Sequence, residues 1–146
     1  MTIENDVFDL LETTLSGSLP WVKKVIKEKP ITDLAVLGSE VPLVQFFWDP
    51  SQSVQQQQRG KTVTRAPLII EVVSKDTRNL DMTQTLLFQY RSDVLAAVAS
   101  IINGPGVQGF VHFEYNGRVY DIHSVSGFYI ARLRFTALYQ ESYGSC

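Results

Sequence analysis

The run Gly127–Gln140, GFYIARLRFTALYQ, alternates in hydropathy along its whole length. Tyr129, Ala131, Leu133, Phe135, Ala137 and Tyr139 share one face. Ile130, Arg132, Arg134, Thr136 and Leu138 share the other. Period two over such a length predicts a long β-strand with one face in a core and arginines on the opposite face. A strand of this kind needs partner strands and a covering layer over its apolar side.

Partner strands are legible upstream. Val41–Trp48 (VPLVQFFW) and Thr64–Ser74 read as strands that pair as a hairpin with a long tip. Leu68, Ile70 and Val72 share one face; Ile69, Glu71 and Val73 share the other. Apolar residues on both faces predict that both are covered. Phe110–His123 reads as a hairpin turning at Asn116-Gly117, a strong short-range turn signal between alternating runs. Trp21–Lys29, bounded by Pro20 and Pro30, fits a short helix or an edge strand, whose lysines would guard the edge. Residues 31–40 read as a loop with a turn at Gly38-Ser39.

Two helices supply the covering layer. Ile3, Val7, Leu10, Leu11, Thr14 and Leu15 make one stripe, capped by Thr2 and ended by Gly17. Leu87, Tyr90, Val94, Leu95, Val98, Ile101 and Ile102 make the other, starting at Asp81 and stopped by Asn103-Gly104-Pro105-Gly106. The predicted fold is α+β: a mostly antiparallel β-sheet with two α-helices packed on one face and a long β-hairpin loop. The 146 residues make one domain, 1–146, with a flexible loop about 49–65 and a loose tail about 141–146.

Charge and cysteine content narrow the function. A formal net charge of -2 with interspersed signs offers no basic stripe for nucleic acid. The one cysteine, Cys146, permits no internal disulfide and no thiolate zinc site. The N-terminus has acids where a signal peptide has basic residues, and no apolar run reaches the roughly 20 residues of a membrane span. The expectation is synthesis in the cytoplasm and no membrane partner.

No catalytic set emerges. There is no GxSxG and no phosphate-binding GxxxxGK[ST], and the expectation is a chain that is not an enzyme and takes no cofactor. If Asn116-Gly117 is the turn, His112 opposes Asp121, and His112, Glu114, Asp121 and His123 share a face. Two imidazoles and two carboxylates could hold a divalent metal, but the pattern lacks HExxH, tight ligand spacing and a third histidine. A solvated sheet face with a cross-strand His–Asp or Glu pair is the favoured reading.

An interaction surface is the stronger lead. Phe46, Phe47 and Trp48 are consecutive, so alternation places aromatics on both faces of their strand. Gln55, Gln56, Gln57 and Gln58, with Arg59, Lys61 and Arg65, form a polar tongue between core strands. Arg132 and Arg134 lie on one side of the last strand, where they could grip an anionic partner or, more often, pair with acids on a neighbouring strand or chain. These residues are the candidate interface.

The order of these segments resembles the tail terminator (tail completion, or minor tail) proteins of long-tailed bacteriophages. The likeness rests on an amphipathic helix, VPLVQFFW, a polar loop, TRAPLIIEVVSK, the helix DVLAAVASIIN and the closing ARLRFTALYQ, roughly residues 2–140. The resemblance implies a structural virion protein of the phage neck, assembled in the host cytoplasm. It implies a homo-hexameric ring that caps the tail tube protein, ends tail polymerisation and offers a docking surface to the head connector or stopper protein. In contractile tails it implies contact with the sheath protein, and DNA only passes through the lumen. Another head–tail joining protein (stopper or adaptor) and a small ligand- or peptide-binding module are the alternatives. The four glutamines are not part of the resemblance.

Overall fold

Two strands form the spine. In the computed structural model, which describes residues 3–27, 42–49, 54–58, 60–75, 80–101, 110–116, 122–125 and 128–142, nine elements follow in chain order. They are α1 (Ile3–Ser18), β1 (Lys24–Lys27), β2 (Leu43–Trp48), β3 (Val54–Gln58), β4 (Lys61–Lys75), α2 (Leu80–Ala99), β5 (Phe110–Tyr115), β6 (Ile122–Val125) and β7 (Phe128–Ser142). β4 and β7 are antiparallel and in register from Lys61↔Ser142 to Lys75↔Phe128. The sheet order is β1-β2-β4-β7-β5, with β3 also on β4 and β6 also on β7. Every described pairing is antiparallel except β1 with β2.

The helices cover one face, as α+β patterning requires. Leu68, Ile70 and Val72 of β4 and Ala131, Leu133, Phe135, Ala137 and Tyr139 of β7 are buried there. Val7, Phe8, Leu11 and Leu15 of α1, and Leu87, Val94, Ala97 and Val98 of α2, complete that core. Trp21 fixes the link from α1 to the sheet: its indole stacks on Tyr90 at 4.0 Å and Nε1 donates to Asp93 Oδ2 at 2.9 Å. β1 is the edge-strand alternative for the Trp21 segment. Its Lys27 donates to Asp9 Oδ1 of α1 at 2.7 Å.

Both flanks of the spine are broken strands. β2 pairs with β4 up to Trp48↔Leu68, and β3 resumes on the same edge at Val54↔Arg65. On β4 only Ala66 and Pro67 lie between these two stretches of pairing. On the other flank β5 reaches Tyr115↔Phe135 and β6 resumes at Ile122↔Ala131. On β7 only Arg132, Leu133 and Arg134 lie between these two stretches of pairing.

Pro67 accounts for the first break. Asp49 N–H donates to the Pro67 carbonyl at 2.9 Å, so Pro67 faces that edge with an acceptor and no donor. The ladder cannot continue through a residue lacking its N–H.

The second break corrects the expected Asn116-Gly117 hairpin. β5 and β6 do not pair with each other; each pairs with β7, and Asn116 N–H donates to the Arg134 carbonyl at 2.8 Å. The turn signal is local, whereas β7 offers both segments a longer ladder and a continuous core.

Other boundaries shift. α1 runs through Gly17 to Ser18, because Gly17 does not take the left-handed conformation that would end it. α2 begins at Leu80, which puts Asp81 inside the first turn. β7 carries the ladder through Ser142, so Glu141 and Ser142 pair with Thr62 and Lys61. Within the segment expected as a loop, the glutamines form β3, which needs no apolar alternation because main-chain bonds to β4 hold it. The expected cap at Thr2, the turn at Gly38-Ser39, the stop at Asn103–Gly106 and Cys146 lie outside the described residues.

Candidate interface

The three aromatics of β2 divide between the two faces. Phe46 is fully buried on the helix side, edge-on to Phe8 with centroids 5.2 Å apart. Trp48 stacks on Phe8 at 5.5 Å and meets Tyr139 edge-on at 6.4 Å. Tyr139 donates its hydroxyl to Glu4 Oε1 at 3.0 Å, tying β7 to the start of α1. Phe46 and Trp48 are therefore packing residues of the core layer. Phe47 lies on the opposite face, half-buried, with Ile69 as its register partner.

That opposite face has a charged centre. Gln45, Glu71 and Arg132 occupy successive strands in register. Gln45 Nε2 donates to Glu71 Oε1 at 2.8 Å; Arg132 Nε and Nη2 donate to Glu71 Oε2 at 2.9 and 2.7 Å. The Glu71 side chain is 4% exposed and that of Arg132 28%. A carboxylate buried to this degree needs such compensation. Arg132 is thus the arginine that pairs with an acid on the neighbouring strand. Leu43, Val73, Phe128 and Ile130 form a second small apolar cluster beside the trio.

Between the two strand breaks lies a cavity of about 130 Å³. Pro67, Ile69, Arg134 and Thr136 line it together with Asp49 and Asn116, one from each flank. Asn116 Nδ2 donates to Thr136 Oγ1. Sequence reading did not place Asp49 or Asn116 in the candidate interface; a proline inside a strand pattern was the available signal for the first.

The polar tongue is a hairpin. Gln58↔Lys61 closes a two-residue turn, residues 59 and 60, in which Gly60 has φ 80°. That conformation suits glycine. Gln55, Gln56, Gln57 and Gln58 oppose Thr64, Val63, Thr62 and Lys61. Lys61, beside the turn, and Arg65, at the base of the hairpin, are exposed, and Arg59 lies outside the described residues.

The histidine–carboxylate face is not assembled. His112 is opposite Leu138 and His123 opposite Ile130, eight register positions apart along β7. At the rise of a strand this separates their backbones by about 26 Å. Glu114 is exposed opposite Thr136, and Asp121 lies outside the described residues. Among the described residues no group of three or more His, Cys, Asp or Glu could hold a metal ion, and no helix is long and apolar enough to cross a membrane.

No family model matches the chain. No curated protein matches it either. Among solved structures it is similar to a chain in the virion of a native gene transfer agent particle. The TM-score is 0.53 at 12% identity, covering 90% of this chain and 92% of that one. The two share a fold over nearly their full lengths.

Proposed function

We propose that this chain is a structural protein of a tailed, phage-like virion, acting in the neck as a tail terminator. The observation that carries the reading is the fold shared with a gene transfer agent virion chain over 90% of the length. The order of segments supports it independently, because it resembles tail terminators on residues that are mostly core and strand rather than catalytic.

In this reading six copies form a ring on the last layer of tail tube protein. The ring ends polymerisation and presents its other side to the head connector or stopper, with DNA passing through the lumen. A ring uses two different patches on each subunit. The sheet face around Phe47, Ile69 and Arg134 and the tip of the β3–β4 hairpin at Lys61, eight residues along β4 from Ile69, are the two candidate patches.

Electron microscopy of the purified protein, alone and mixed with tail tubes, tests this function. Six-fold rings or capped tube ends are the expected result. A chain that stays monomeric with tubes present, or that binds the head connector but never a tube end, overturns the terminator assignment. The second outcome would favour a stopper or adaptor.

A further inference from the structure

Among the described residues, β3 is the longest edge strand of this sheet without charge, proline or a register shift. Natural edge strands carry charge, proline or bulges that discourage pairing with another chain. β1 carries Lys24 and Lys27. β5 carries Glu114 and a register shift between Phe110 and His112. β3 is VQQQQ, with no charge, no proline and no shift in its register with β4. Among the described residues β3 pairs with β4 alone.

Its outward backbone groups follow from the turn. Gln58 and Lys61 close a two-residue turn and exchange hydrogen bonds, and antiparallel pairing alternates from there. Val54, Gln56 and Gln58 therefore direct their N–H and C=O at β4. Gln55 and Gln57 direct theirs away from it.

We propose that this edge binds the same edge of a second copy of the chain, antiparallel about a two-fold axis at Gln56. In that register Gln55 meets Gln57 of the other copy and Gln57 meets its Gln55. All four outward main-chain groups of each strand find partners. Charge selects this direction. Parallel, in-register pairing would set the two copies' turns, each followed by the exposed Lys61, side by side at one end. The two-fold arrangement places Gln58 opposite Val54 and sends the two turns, each followed by the exposed Lys61, to opposite ends of the paired strands. The contact is isologous, so it differs from the head-to-tail contact that closes a ring, and it stands whether or not the chain caps a tail. Five residues a side make it a weak, concentration-dependent association.

The test is sedimentation velocity of the full chain over a concentration series, with Gln55→Pro, Gln57→Pro and Gln56→Pro. Proline at 55 or 57 removes an outward donor and leaves the β4 ladder whole; proline at 56 breaks the ladder instead. The wild type is expected to dimerise with concentration. Gln55→Pro or Gln57→Pro should weaken the dimer about tenfold or more at unchanged melting temperature, whereas Gln56→Pro should lower the melting temperature. Amide exchange on the wild type provides a second readout: Gln55 and Gln57 should gain protection as concentration rises, and Gln56 should be protected throughout. A wild type that never dimerises, or Gln55 and Gln57 amides that exchange at one rate at all concentrations, overturns the proposal. Rings or capped tubes seen by microscopy are scored separately and do not rescue it.

Discussion

Arg132 reaches across from β7 to Glu71 on β4 and places two donors, Nε and Nη2, on the single oxygen Oε2. Gln45 of β2 holds the other oxygen, so one carboxylate joins three strands. Arg132→Ala leaves that carboxylate buried and short of its charged partner, and should cost about 3–5 kcal/mol. Glu71→Ala should cost less, because the Arg132 head is already partly in water. Urea unfolding of both variants checks the order; equal, small losses would mean that the trio is not a unit.

Gly17→Ala should stabilise the fold by about 0.5–1 kcal/mol. Gly17 lies inside α1, is exposed and does not take a positive φ, and nothing lies within 4 Å of an added Cβ. A rise in melting temperature is the expected reading, and a fall would place the end of the helix before Gly17.

Leu133→Ala should destabilise by about 2–5 kcal/mol, since Leu133 is fully buried between β4 and the helices. Denaturant midpoints measure it. The exposed Ser16→Ala on α1 serves as the control and should stay within about 0.5 kcal/mol.

Deleting Gln55–Gly60 removes most of β3 and its turn but none of the β2–β4 or β4–β7 ladders. The melting temperature should fall by only a few degrees, matching a loss of about 1 kcal/mol. In the proposed capping role, binding to tail tubes should weaken. A collapse of the fold would show that the hairpin supports the core.

Much of this architecture could be read from residue order because burial and period coincide. The stripe from Tyr129 to Tyr139 and the helix stripes through Val7 and Val94 each have one way to face a core. The pairing around Asn116-Gly117 could not be read the same way. Alternation in Phe110–Tyr115 and Ile122–Val125 fits pairing with each other or with β7 equally well, and only the length of β7 decides. The glutamines carry no hydropathy signal, so their strand was visible only through the main chain that holds it. For the candidate interface, alternation alone put Phe46 and Trp48 on one face and Phe47 on the other. Which face the helices covered required the packing of Phe8. The histidine–carboxylate set failed because it was built on a turn that the fold does not use.

The unbroken pairing of β4 with β7, flanked on both sides by interrupted strands, gives the molecule a mechanical grain. Load applied along this pair, pulling the two strands past one another, meets every rung from Lys61↔Ser142 to Lys75↔Phe128 at once, in shear. Load applied at a flank meets a few rungs and then a gap. Such a subunit is stiff along one axis and yields in sections at its margins, so tension would loosen its edges while the central girder still holds.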